Sequence, residues 1–132
     1  MPCLRSFTAG STLNSENIKK ERDMTVNEYQ KLALSTMNPK LNRNDVLINS
    51  AMGLCGEAGE VIDIVKKWFA HGHELNRQKL IEELGDVAWY IAEAAYALDT
   101  DLESILAANI EKLKKRYPEG FSSRNSIERT GD

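Results

Sequence analysis

Between Met24 and Pro118, apolar residues recur at spacings of three and four positions, and no segment alternates with a period of two over a useful length. This spacing is typical of amphipathic α-helices. No proline occurs between Pro39 and Pro118, so the long central stretch is free to be helical. The pattern predicts an all-α chain, a bundle of four helices joined by short loops.

Capping and breaking residues set the predicted helix bounds. Thr25 and Glu28 have the spacing of a capping box at the start of the first helix. Asn44 or Asp45 is the expected N-cap of the second helix, and Gly72 its C-terminal stop. The third helix should begin after Asn76. The predicted helices cover about 25–37, 45–71, 77–98 and 100–117, the last starting at Thr100 with Glu103 as capping-box partner.

Residues 1–23 are polar and lack periodicity, so burial cannot offset the entropy of ordering them. We expect a tail over 1–23, one domain over 24–117, and a C-terminal tail or lid over 118–132.

Two acidic pairs lie beside the apolar faces of the second and third helices. At about 100° per residue, Glu57 falls inside the apolar stripe of its helix, and Glu60 lies at the margin. Glu83 and Asp86 repeat this arrangement on the next helix. The short 71–76 connection predicts an antiparallel hairpin, with Glu60 and Asp86 roughly 21 Å and 18 Å from its turn. The four carboxylates can therefore converge.

Partly buried carboxylates without partners cost several kcal/mol or take up protons, and a divalent cation removes that cost. An all-oxygen ligand set indicates Mg²⁺ or Mn²⁺ rather than zinc. For any single glutamate, an ordinary solvated position is the more common explanation, but two matched pairs at one level favour the metal site. Gly53, Gly56 and Gly59 in the second helix imply a close approach by a backbone or ligand, or tight helix packing alone.

The fourth helix carries an amide and two cations on one face, at Asn109, Lys112 and Arg116, followed by Tyr117. Alone, this face is typical of a solvated helix end with cations that complement the helix dipole. Beside a metal cluster it becomes a phosphate-binding face, to which Lys67 of the second helix is added.

The composition argues against two kinds of partner, nucleic acids and membranes. The 132 residues carry a net charge of −3, which argues against a nucleic-acid-binding surface. No apolar run approaches the roughly 18 residues of a membrane span, so no membrane partner is expected. The two cysteines, Cys3 and Cys55, form no disulfide framework and suit a cytoplasmic protein, or a host cytoplasm for a phage-encoded one.

Three segments together resemble the MazG-type nucleoside triphosphate pyrophosphohydrolases of the all-α NTP pyrophosphatase superfamily. They are GLCGEAGEVIDIVKKW, EELGDVAWYIA and NIEKLKKRYPEGF, and the resemblance covers about 24–124. It implies metal-dependent hydrolysis of an NTP or dNTP to the monophosphate and pyrophosphate, with Glu57, Glu60, Glu83 and Asp86 as metal ligands.

The resemblance also implies a homodimer or homotetramer, with Trp68, Phe69 and Trp89 as contact candidates. It places the nucleobase between the first two helices, near Gln30, Asn49 and Trp68. A purine deoxynucleotide such as dGTP is slightly favoured, although Asn49 capping a neighbouring backbone is the commoner role for such an amide. The alternative is a non-catalytic helical module that binds nucleotide or metal, for regulation or oligomerisation.

Overall fold

The structure, a computed structural model, describes residues 23–128, so residues 1–22 of the expected N-terminal tail and 129–132 of the C-terminal tail lie outside the described residues. The described chain forms five helices and no strand: α1 (Val26–Leu34), α2 (Arg43–His71), α3 (Arg77–Ala97), α4 (Leu102–Arg116) and α5 (Ser123–Ile127). The all-α prediction is confirmed. None of these helices is both long and apolar enough to cross a membrane.

Side-chain caps start the helices. At α1 the predicted capping box is present: the Glu28 N–H donates to Thr25 Oγ1 at 3.2 Å, and the Thr25 N–H donates to Glu28 Oε2 at 2.7 Å. Asn76 caps α3 as predicted, and Gly72 ends α2 in the left-handed conformation with φ 72°. These local signals were correct because each cap satisfies backbone groups within its own turn.

Two predicted N-caps were wrong. Asn42, not Asn44 or Asp45, caps α2, because its side chain accepts from the Asp45 N–H. Asp101, not Thr100, caps α4 by accepting from the Ser104 N–H at 2.8 Å. The fifth helix lies within the expected C-terminal tail, where Ser122 caps it.

The packing centres on α3. The α2–α3 hairpin is the most extensive helix pair, and α1 and α4 pack against α3 and against each other. Ala33, Ala92 and Leu102 form the buried cluster of that second group, with Tyr29, Trp89 and Ile91 around it. The buried apolar residues of the described chain are mainly alanines, so helices approach closely there but enclose little apolar volume.

Gln30 joins three helices through one buried amide. Its Nε2 donates to the Ala92 carbonyl of α3 at 3.3 Å, and its Oε1 accepts from the Leu102 N–H at 2.8 Å, at the start of α4. The Trp89 indole N–H adds a second link to α1 by donating to the Ala33 carbonyl at 3.0 Å. These bonds fix α1 on the α3–α4 pair.

A second link ties the start of α2 to the end of α3. The guanidinium of Arg43 pairs with Asp99 and lies 5.2 Å above the Tyr96 ring centre. Asp99 is the non-glycine residue with positive φ, 57°, among those described. The hairpin is therefore closed at the end opposite its turn.

We expect Gln30→Ala to destabilise the fold by about 2–3 kcal/mol, because the Leu102 N–H is left buried without an acceptor. Urea unfolding followed by circular dichroism measures this. Gln78→Ala, an exposed glutamine on α3, is the matched control and should change stability by less than about 0.5 kcal/mol. Equal effects at the two positions would contradict the assigned role of Gln30.

Candidate metal and nucleotide site

Three carboxylates from the two arms of the hairpin meet at one point. One oxygen from each of Glu57, Glu83 and Asp86 lies within 4.8 Å of the other two. We call these residues the acidic cluster. Glu83 is buried, and Glu57 and Asp86 are half-buried. Antiparallel packing of α2 on α3 brings Glu57 to the level of the other two, whereas the distances from the turn predicted Glu60 beside Asp86.

Glu60 is the predicted acid that the structure does not bring into this group. It is exposed, one turn beyond Glu57 on α2. Its charge nevertheless acts on Glu57 and helps to raise the pKa of that carboxyl. The i, i+3 spacing therefore brings Glu60 near Glu57, but it does not bring the Glu60 carboxylate into the cluster.

The cluster has an excess of negative charge. Burial raises the pKa of Glu57, and the charges of Asp86 and Glu83 raise it further. Burial and Glu83 likewise raise the pKa of Asp86, against a lowering by Lys79. Lys79 Nζ lies 2.7 Å from Glu83 Oε1, so three carboxylates and one ammonium leave two net negative charges when all are ionised. A divalent cation matches that excess in charge and in its preference for oxygen.

The predicted phosphate-binding face lies on α4, outside the α2–α3 hairpin that carries the acidic cluster. Asn109 and Lys112 are exposed on α4, and Arg116 and Tyr117 are half-buried at its end. The Arg116 carbonyl accepts from Asn125 Nδ2 at 3.1 Å, which ties α5 to the end of α4. α4 packs against α1 and against α3, the helix that carries Glu83 and Asp86.

Lys67, the added phosphate-binding candidate, is held by a neighbour on its own helix. Its ammonium lies 2.5 Å from Asp63 Oδ2, and Lys66 binds the other carboxylate oxygen at 3.0 Å. These two ammonium groups hold the pKa of Asp63 at about 2.

The three predicted base-binding residues have different surroundings. Gln30 is buried, and both ends of its amide bind backbone groups, so it is not carried into the proposal below. Asn49 is exposed, and its Nδ2 donates to Glu93 Oε2 at 3.0 Å. Trp68 is half-exposed near the end of α2.

Sequence reasoning missed two residues of the α2–α3 interface. Tyr90 packs its ring against Gly53: a Cβ at position 53 would lie 2.1 Å from that ring, whereas one at Gly56 or Gly59 would meet nothing within 4 Å. Tight packing within the chain therefore explains one glycine of the three. Glu93 is 1% exposed, and its position seven residues after Asp86, about 20° away around α3, was the signal that could have identified it.

Two comparisons with known proteins gave matches. The family model of the MazG nucleotide pyrophosphohydrolase domain matches residues 48–121, more than half of the chain. The Gene 37 protein of Mycobacterium phage L5 is 42% identical over 73 residues, which are 52% of this chain and 64% of the phage protein. The chain therefore spans somewhat less than two thirds of that relative. No solved structure gives a significant match.

Acidification should stabilise the metal-free protein. Glu57, Asp86 and Glu93 all have folded-state pKa values above their ordinary ones, so the folded state binds more protons, and stability falls as the pH rises through those values. The lowered pKa of Asp63 acts in the opposite direction only below about pH 3.8. In EDTA we expect a higher Tm at pH 5.5 than at pH 7.5, measured by thermal unfolding.

In the same assay, Glu57→Gln should raise the Tm at pH 7.5 by about 2–4 °C, as expected for a change on the order of 1 kcal/mol. Its gain should be smaller at pH 5.5 than at pH 7.5, because the raised pKa makes the wild-type carboxyl take up a proton more readily as the pH falls. Glu74→Gln, in the exposed loop, is the control and should behave as wild type. A lower Tm for Glu57→Gln at pH 7.5 would exclude charge repulsion at this position.

Proposed function

The chain belongs to the MazG nucleotide pyrophosphohydrolase family, and on that premise we propose that it hydrolyses a nucleoside triphosphate to the monophosphate and pyrophosphate with a divalent cation. The observation that carries the proposal is the acidic cluster within the matched residues 48–121. Family membership alone supplies the reaction class, and the cluster supplies a site able to perform it.

The donor set fits Mg²⁺ or Mn²⁺. Oxygens around one octahedral Mg²⁺ lie up to about 4.2 Å apart, twice the bond length of about 2.1 Å. The three oxygens of the cluster lie within 4.8 Å of one another, so small side-chain rotations suffice. When bound, the cation would supply Lewis-acid stabilisation of phosphate oxygens and a means to position the attacking water.

The protein groups then have distinct roles in this proposal. Glu57, Glu83 and Asp86 hold the cation, and Glu60 is a candidate fourth ligand one turn along α2. The Lys79 ammonium holds the Glu83 carboxylate in place through its 2.7 Å contact. Donors on the end of α4 (Asn109, Lys112, Arg116 and Tyr117) bind triphosphate oxygens, with Lys67 as a further cation. Asn49 lies near the base, whereas Trp68, 19 residues or about 28 Å further along α2, would reach the same base only from a second subunit.

We further propose a homo-oligomer that covers an exposed apolar stripe on α2. Ile48, Met52, Ile62 and Phe69 are 58%, 70%, 62% and 83% exposed and share the side of α2 opposite Glu57. A face of this kind is typical of a contact between subunits. Trp68 is also exposed, whereas Trp89 packs against α1 within the chain and is left out of the proposed contact.

Pyrophosphate release from ATP, GTP, CTP, UTP and the four standard dNTPs, with Mg²⁺ or Mn²⁺ and with EDTA, tests the activity. We expect Asp86→Asn to lower turnover by more than about 1000-fold while the protein stays folded, because the cation loses a direct ligand. Glu60→Gln should cost less, about 10-fold, because the exposed Glu60 stands outside the three-residue cluster and water can replace it as a ligand. Glu82→Gln, an exposed neighbour of the cluster, is the matched control and should keep wild-type turnover.

Near wild-type turnover in Asp86→Asn would remove the acidic cluster from the mechanism. Absence of release from every nucleotide, together with retained nucleotide or metal binding, would favour the non-catalytic module instead.

The stripe on α2 is tested by light scattering coupled to gel filtration. We expect Met52→Glu to shift the protein to a smaller species, because the charge would be desolvated at the contact. Lys31→Glu, on exposed α1, should leave the mass unchanged. A wild-type protein that runs as a monomer would contradict the proposed assembly.

A further inference from the structure

Glu93 is a buried carboxyl that the proposed hydrolysis does not use. It is 1% exposed, in the half of α3 beyond the acidic cluster, and Val46 and Ser50 of the hairpin's other arm are fully buried as well. Asn49 of α2 is its hydrogen-bond partner, with Nδ2 at 3.0 Å from Oε2 and 3.4 Å from Oε1. An exposed amide thus lies over a buried acid.

A role in stability does not account for this residue. Burial of a carboxyl costs several kcal/mol unless a cation or several donors compensate, and an apolar side chain would fill the same space without that cost. Within residues 23–128, no ion pair reaches Glu93. The neighbouring Ser50 hydroxyl donates to the Leu47 carbonyl rather than to the acid. What Glu93 contributes is a pair of acceptor oxygens facing Asn49.

Those acceptors orient the amide of Asn49. A carboxylate accepts hydrogen bonds and donates none, so it draws the NH₂ group of Asn49 inward and turns the carbonyl Oδ1 away. In the described chain that Oδ1 accepts no hydrogen bond, and Asn49 itself is exposed. The surface of α2 at this point therefore offers an open acceptor.

The position of this acceptor suits the far end of a nucleotide. Asn49 precedes Glu57 by eight residues, about 12 Å along α2, a distance comparable with the reach of a nucleotide from its phosphates to its base. Tyr90 packs on Gly53, midway between Asn49 and Glu57 on α2, and the charges of Glu57 and Glu93 both raise the pKa of its hydroxyl. The acidic cluster, Tyr90 and the Asn49–Glu93 pair thus follow one another along the hairpin.

We propose that Glu93 is a positioning residue that fixes Asn49 as a hydrogen-bond acceptor toward the base, so that the enzyme prefers bases with an exocyclic amino group. Adenine, cytosine and guanine offer such a donor. Uracil and thymine offer instead an N–H flanked by two carbonyl oxygens, which repel Oδ1. The inference rests on the proposed function and specifies its substrate class.

The test compares kcat and KM across the eight nucleotides for wild type and Glu93→Gln. Glutamine keeps the shape of Glu93, but it can donate as well as accept, so Asn49 is free to turn over. We expect wild type to prefer amino-bearing bases by at least about 10-fold in kcat/KM. In Glu93→Gln this preference should fall by about 5-fold or more, through KM, with kcat nearly unchanged. Glu82→Gln should retain the wild-type preference.

The outcomes separate this inference from the function beneath it. Equal loss of kcat on all nucleotides, or an unchanged preference in Glu93→Gln, would show a purely structural Glu93 and overturn the inference alone. Pyrophosphate release from no nucleotide by wild type would overturn the proposed function and the inference with it. If Glu93→Gln does not fold, Asn49→Ala decides: it removes the acceptor, so a preference that survives in that variant overturns the inference.

Discussion

Like charges held together at the interface of two helices are the constraint on which the rest of this structure depends. Glu57, Glu83 and Asp86 repel one another where α2 packs against α3, and burial adds to the cost of their ionised forms. The hairpin must therefore be held closed by contacts elsewhere. The Gly72 turn closes one end, and the Arg43–Asp99 pair closes the other.

The same constraint explains why the acids and the apolar cluster lie at different helix interfaces. The apolar cluster of Ala33, Ala92 and Leu102 lies between α1, α3 and α4, apart from the acids. Gln30 links these three helices through hydrogen bonds rather than through apolar packing. The α2–α3 pair can thus carry polar groups in its interface, while α1 and α4 also pack against α3. The small core that results leaves the stripe on α2 uncovered in the single chain.

The sequence predicted features that depend on one helix or one turn. Periodicity predicted the helices, and caps such as Thr25 and Asn76 were found because the cap and its acceptor lie within one turn. It also predicted that acids of the two arms meet, since a short turn makes the hairpin antiparallel, but the distances from the turn indicated Glu60 rather than Glu57 as the neighbour of Asp86. Rotation about the helix axis is set by tertiary packing, and for that reason Glu60 was placed in a group that it does not join.

Roles that depend on contacts between distant segments were harder to predict. Nothing in the sequence around Gln30 distinguishes it from a surface glutamine. Its hydrogen bonds to Ala92 and Leu102, 62 and 72 positions away, show that it is a core residue. Glu93 was overlooked because a glutamate in a helix is ordinarily solvated. Asn49 was noticed, but the direction of its amide depends on a partner 44 positions away.

Gly53 has a consequence for the acids, although it carries no functional group. The Tyr90 ring occupies the space where any larger residue at position 53 would place its first side-chain carbon. The Tyr90 ring packs into the gap left at Gly53, and this contact limits how far α2 can slide along α3. A slip of one turn, about 5.4 Å, would carry Glu57 away from Glu83 and Asp86. The position of Glu57 relative to Glu83 and Asp86 thus depends on the missing side chain of Gly53, one helical turn before Glu57.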